Sequence, residues 1–147
     1  MVKLVPPVLF LICLGLMALL RWLWPVRIIS PFPYNLFGIV PILAGLLFTL
    51  LGVRQFRKSR ANIKPFQQPE VFVTEGPYRY SRNPMYAAVL LVLVGAWILF
   101  GAITCVLGVF IFMIVADQWY IPFEERMLHQ KFGQAFEAYC ARTRRWI

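Results

Sequence analysis

From Pro84 to about Asp117 the chain carries an apolar run too long for one bilayer-crossing helix and long enough for two. Phe100-Gly101 falls midway and reads as a turn, so the run predicts a helical hairpin. Each arm is about 16 to 18 residues, near the short limit of a span, and tilt or local thinning of the bilayer is expected. The alternative is one tilted helix followed by an interfacial one.

Composition extends this reading to the whole chain. Its 147 residues are 61% hydrophobic and 14% charged, whereas a soluble domain is nearer half apolar and a quarter charged. A span takes roughly 20 residues, so about four helices use up the length. The expected fold is an all-α integral membrane protein forming a single membrane domain, 1–147. About four transmembrane helices, the last two a hairpin, are followed by an amphipathic C-terminal tail. Residues 1–60 hold two spans and a basic linker, and 61–147 hold the core with the hairpin and tail. The net charge of +9 lies on no foldable soluble module, which argues against nucleic acid. It reads instead as topology and contact with anionic headgroups.

The first span is expected from Pro6 to Trp24. Lys3 before an apolar run imitates a signal peptide, but Arg21-Trp22-Leu23-Trp24 offers no small-residue cleavage site, so an uncleaved helix is expected. Pro25 to Pro33 is a proline-punctuated connection. The second span, about Tyr34 to Val53, contains Pro41, which is expected to kink its early part. Gly38, Gly45 and Gly52 recur every seven residues on nearly one face, which favours close helix packing and makes a dimer through that face conceivable. The basic run Arg54 to Arg60, followed by Lys64, places the linker and both termini in the cytoplasm, with the Pro25–Pro33 loop outside. The expected host is the plasma membrane of a prokaryote. Cys13, Cys105 and Cys140 lack CxxC spacing and read as small hydrophobes; with His129 the single histidine, no metal site is expected.

Between the second span and the hairpin lies a polar, aromatic and cationic segment, Thr74 to Tyr86. Gly76-Pro77 is a turn dipeptide, and Asn83-Pro84 reads as an N-cap followed by proline at the first helical position. Beyond the hairpin, Phe123, Met127, Phe132, Phe136 and Tyr139 recur at helical intervals, and Gly133 is expected to break or bend the tail. Glu124-Glu125 sits at the expected exit of a span, where burying carboxylates is costly unless they are paired or used. Asp117 reads equally as a polar wall or an interface cap, and His129 as a solvated tail residue.

Two blocks carry a resemblance. Thr74-x-Gly76-x-Tyr78-x-x-x-Arg82-Asn83-Pro84-x-Tyr86 resembles a signature of the isoprenylcysteine carboxyl methyltransferase and phospholipid methyltransferase group. Glu124-Glu125-x-x-Leu128-x-x-x-Phe132-Gly133-x-x-Phe136-x-x-Tyr139, ending in Arg145-Trp146, resembles that group's C-terminal signature. The resemblance covers half the chain. It implies S-adenosylmethionine as cofactor, held between the hairpin and the folded-back tail. Gly76, Tyr78, Arg82, Asn83, Pro84, Tyr86, Glu124 and Glu125 are the implied binding residues, with Arg82 and Glu125 also implied in catalysis. The implied acceptor is a lipid or a lipid-like small molecule. The chemistry is compatible: an arginine or helix N-terminus suits the cofactor's carboxylate, and glutamates suit its amino group and ribose hydroxyls.

Asn83 stands where many members have histidine and does not titrate near neutral pH. Ala88 stands at a position often glycine. The sterol reductase group, which uses NADPH, shares a related pattern echoed by Lys131-Phe132-Gly133 and Tyr139-Cys140, although Met85 replaces its usual asparagine. Reductase-like chemistry and a non-catalytic membrane protein are the alternatives to methyl transfer.

Overall fold

A computed structural model describes residues 5–58 and 71–146; every regular element among them is helical, with no named strand. Lys3, the end of the basic run (Arg60 and Lys64) and most of the Pro65–Val73 connector lie outside the described residues. Helix α1 spans Pro6–Leu23, and a 3-10 turn over Tyr34–Gly38 leads into α2, Ile39–Lys58. Helix α3 spans Pro84–Phe100 and α4 Val106–Val115; a π turn, Ala116–Tyr120, carries α4 into α5, Ile121–Phe132, and α6 spans Gln134–Arg142. The stretches Pro6–Leu23, Tyr34–Lys58 and Ile103–Phe132 are long and apolar enough to cross a membrane, and Pro84–Phe100 is a shorter apolar helix of 17 residues. This is an all-α membrane protein. Leucines such as Leu11, Leu43, Leu47 and Leu50 stay exposed on its helices because lipid, not protein, is their partner.

The hairpin turns where its glycine stands. Gly101 caps α3 at φ +72°, a left-handed conformation that costs glycine little, and its N–H donates to the Trp97 carbonyl at 3.0 Å. The connection after α1 closes over the same end: Ile29 N donates to Gly101 O at 2.7 Å and Ile103 N to Arg27 O at 2.9 Å. The chain thus runs up and down in neighbouring helices, and the segment before α3 and the tail after α4 gather at the opposite end.

Glycine spacing on α2 is explained by what it faces. A Cβ on Gly45 would lie 2.6 Å from the Ala88 carbonyl oxygen, and one on Gly95 would lie 2.5 Å from that of Gly38. Gly52 lies against Met85. Helices α2 and α3 therefore meet backbone to backbone, so the face open to dimerisation in the sequence reading is filled within the chain. Ala88 does not loosen this contact, because Gly45 opposite it has no side chain and leaves room for the close approach. On the other side, Gly108 of α4 packs on Met17 of α1, and Cys105 donates its thiol to the Met17 carbonyl at 3.2 Å.

Two prolines shape the starts of their helices. Pro41 lies in the first turn of α2, where its missing N–H is harmless, and the early irregularity of this span takes the form of the 3-10 turn just before it. Pro122 sits at the start of α5, immediately after the π turn. It cannot donate to residue 118 and its ring crowds that carbonyl, so the wider turn relieves both problems. As a result the second hairpin arm does not end at Asp117 but continues as helix to Phe132.

Candidate functional site

The polar segment enters the site end through a tight turn. Gly76 adopts φ +64° and opens a 3-10 turn, Gly76–Arg79. Phe56 meets the Tyr78 ring edge-on at 5.4 Å, and the Tyr139 hydroxyl donates to the Tyr78 carbonyl at 2.5 Å. Burial first, and then the Glu124 charge, hold the Tyr78 phenol far above its ordinary pKa, so it stays protonated. Gly76 and Pro84 thus shape backbone, and neither brings a polar side chain to the cluster described below.

The tail returns to this segment. Gly133 breaks the helix between α5 and α6 at φ +48°. Phe72 packs between Phe132, Phe136 and Tyr139 at ring separations of 5.1, 6.0 and 5.3 Å, which fixes the bent tail to the connector. Beyond α6 the chain lies parallel to residues 81–83: Arg82 N donates to Arg144 O at 2.9 Å, and the Asn83 side-chain amide donates to Arg145 O at 3.0 Å. Asn83 occupies the N-cap position as expected, but its side chain makes no capping bond, being spent on the tail instead.

Adjacent carboxylates diverge to different partners. Glu124 Oε1 accepts from the Tyr86 hydroxyl at 2.8 Å, and the Tyr86 ring stacks at 6.1 Å on Tyr120. Glu125 turns the other way, with Oε1 3.3 Å from Arg82 Nη1 and Oε2 accepting from Arg145 Nη2 at 2.9 Å. The Arg82 and Glu125 side chains are only 18% and 16% exposed, so water screens this pair weakly. Arg82 Nη1 also donates to Cys140 Sγ at 2.7 Å. Despite their proximity, Arg82 Nε and Glu125 Oε1 are buried and make no hydrogen bond. Arg145 extends the cluster: its Nη1 lies 3.6 Å from Asp117 Oδ1, which also accepts from Trp146 Nε1 at 3.1 Å.

Of the eight residues implied by the resemblance, Arg82, Tyr86, Glu124 and Glu125 thus present side chains to two adjoining polar clusters, with Tyr78 close to Glu124. Sequence reasoning left Asp117 even between a pocket wall and an interface cap, and did not assign Arg145, Trp146, Cys140 and Tyr120 to the site. Three of them follow the bent tail, and their signal was the Arg145-Trp146 ending; Asp117 and Tyr120 depend on the π turn, whose one signal is Pro122. His129 pairs with Glu137 at 2.8 Å on an exposed surface, in keeping with a solvated tail residue. No group of three or more metal-ligating side chains occurs among the described residues.

The sequence profile of the family described as Phospholipid methyltransferase matches residues 33–135, most of the chain. The chain belongs to the phospholipid methyltransferase family. The match runs from the turn before α2 into the start of α6, so it includes Gly76 to Tyr86 and both glutamates but stops short of Tyr139, Cys140, Arg145 and Trp146. An uncharacterized protein of Haemophilus influenzae is 42% identical over 64 residues, which are 43% of this chain and the whole of that protein. No solved structure matches this member of the phospholipid methyltransferase family.

Proposed function

We propose that this protein transfers a methyl group from S-adenosylmethionine to a lipid-like acceptor, at a site formed by Gly76 to Tyr86, α5 and the returning tail. The observation that carries the cofactor reading is the pair of buried atoms left without hydrogen bonds, Arg82 Nε and Glu125 Oε1. One is a cationic donor and the other an anionic acceptor, each costly to leave unmade. A ligand bearing both a carboxylate and an ammonium, as the amino-acid end of the cofactor does, satisfies both at once. Tyr78, Tyr86 and Glu124 supply aromatic faces and a carboxylate beside that pair, suited to a cationic or hydroxyl-bearing group. When bound, S-adenosylmethionine supplies a methyl group on a sulfonium centre. The work of the chain is to orient that centre, exclude water and hold Glu124 and Glu125 in place through Tyr86, Arg82 and Arg145. The family match favours this chemistry over the NADPH-dependent alternative.

In this reading the whole chain works as one membrane domain with its site end in the cytoplasm. Apart from Arg21 and Arg27, the described lysines and arginines lie at or beyond that end, as cytoplasmic retention of positive charge demands. The bacterial relative supports a prokaryotic plasma membrane as the host.

Calorimetric titration of the detergent-purified protein with S-adenosylmethionine and, separately, NADPH tests the reading. Micromolar binding of the first, lost in Arg82→Ala and Glu125→Ala variants that still melt cooperatively, is the expected result. Binding of NADPH alone would replace it with the reductase reading, and binding of neither by folded protein would remove the enzyme claim.

A further inference from the structure

A groove of about 440 Å³ opens beside the polar cluster, lined by Met113, Ile114, Asp117, Gln118 and Trp146. Its volume falls in the range of small-molecule sites. Met113 and Ile114 are 39% and 56% exposed on a helix apolar enough to cross the membrane, so this wall faces lipid. One helical turn toward the site end, the lining becomes polar at Asp117 and Gln118. The order along the groove is that of a lipid lying with its chain toward the bilayer centre and its head toward the surface.

The groove is also one side chain away from the cofactor cluster. Asp117, which lines it, lies 3.6 Å from Arg145 Nη1, while Nη2 of the same guanidinium holds Glu125 Oε2 at 2.9 Å. Trp146 forms the wall between them, anchored through its indole N–H on Asp117. By contrast, α2 and α3 close on Gly38, Gly45 and Gly95, and α1 and α4 close on Gly108.

We propose that this groove is the acceptor subsite, in which the hydrocarbon chain of a membrane lipid lies along Met113 and Ile114 and its head reaches Asp117 and Gln118 beside Arg145. The inference rests on the methyl-transfer reading for the word acceptor. The bilayer then delivers one substrate along α4 while the other occupies the Arg82–Glu125 side, and Arg145 and Trp146 separate the two compartments.

The test places the full chain in nanodiscs of phosphatidylethanolamine and phosphatidylglycerol doped with phosphatidylethanolamine carrying a diazirine on one acyl chain. After illumination, peptide mass spectrometry is expected to find labelling at Met113, Ile114 and Trp146 several-fold above that at Leu43 and Leu47, which face lipid on α2. Ile114→Trp fills the groove at an exposed position and should reduce labelling of Met113 and Trp146 several-fold while S-adenosylmethionine still binds by calorimetry. Leu47→Trp, on another lipid face, should leave the pattern as it was. Labelling spread evenly over α2 and α4 identifies annular lipid only and overturns the groove, as does unchanged labelling in Ile114→Trp. Failure of the unaltered protein to bind S-adenosylmethionine overturns the methyl-transfer reading instead, and is seen in a separate measurement.

Discussion

Tyr86 on α3 and Glu124 on α5, 38 residues apart in sequence, meet through a 2.8 Å hydrogen bond from the phenol to Oε1. The bond joins the residue that closes the first signature-like block of the sequence to the one that opens the second. It also ties the start of the hairpin to the helix that follows its second arm. Tyr86→Phe keeps the stacking on Tyr120 and removes the donor, which should cost about 1–3 kcal/mol because a buried acceptor is left without its partner. Glu124→Gln should cost a similar amount, and the double variant less than the sum by about 0.5–3 kcal/mol, since the two share one bond. Thermal melts of the four proteins in one detergent measure this coupling; strict additivity would show that the bond contributes nothing.

The α2–α3 seam makes opposite predictions for two glycines. Alanine at Gly45 puts a methyl carbon 2.6 Å from the Ala88 carbonyl oxygen, a contact that backbone must move to relieve. The overpacking cost is about 1–3 kcal/mol. Alanine at Gly15 on α1 meets nothing within 4 Å and should gain roughly 0.8–1 kcal/mol of helix propensity. Melting temperatures that fall for Gly45→Ala and hold or rise for Gly15→Ala confirm the assignment. Equal effects would mean that the seam is looser than its geometry.

Much of this was legible in the residues, and the parts that were not share a cause. The Gly101 turn, the Gly133 break and the seven-residue glycine spacing are local signals with local outcomes, so sequence alone placed them. What Gly38, Gly45 and Gly52 pack against is a long-range fact: the same small face serves a dimer or a neighbouring helix, and only the fold chooses α3. Asp117 was ambiguous for a similar reason. Its direction depends on the extra residue in the π turn, which rotates everything after it relative to α4, and Pro122 was the sole hint of that turn. Arg82 and Glu125 were singled out by their resemblance to a family signature. That Arg145 bridges Glu125 to Asp117 required knowing where a bent tail lands.

Asn83 holds the tail rather than the helix start. Its amide donates to the Arg145 carbonyl at 3.0 Å, a bond that an imidazole N–H of suitable tautomer can also make. Asn83→His should therefore fold nearly as well as the unaltered chain. Asn83→Leu, with no donor, should lose about 0.5–1.5 kcal/mol by leaving the carbonyl only the longer 3.5 Å bond from the Ser81 hydroxyl, and Asn83→Asp should do worse because two acceptors then face each other. Limited proteolysis of residues 143–146 alongside thermal melts checks both parts. Faster tail cleavage in the leucine and aspartate variants, but not in the histidine variant, is the expected pattern, and a histidine variant as labile as leucine would argue against the clasp.

Tyr139 gives the site end a pH limit on the alkaline side. Burial raises its phenol from the ordinary value to about 12, with Arg82 and Arg142 pulling down and Cys140 pushing up against that dominant effect. Its hydroxyl must stay protonated to donate to the Tyr78 carbonyl. A group whose pKa is higher folded than unfolded stabilises fully below the unfolded value, here about 10, and loses that contribution as pH climbs through the folded value. Tyr139→Phe should be less stable than the unaltered protein by about 0.5–1.5 kcal/mol at pH 7 to 9, for want of one hydrogen bond. The difference between the two proteins should then narrow from about pH 10 to about pH 12, because only the tyrosine has a proton to lose there. Paired melts across this range isolate Tyr139 from the lysines and other tyrosines, which titrate in both proteins. A gap that stays constant to pH 12 would mean that the phenol titrates alike in the folded and unfolded chains, and would place the alkaline limit elsewhere in the chain.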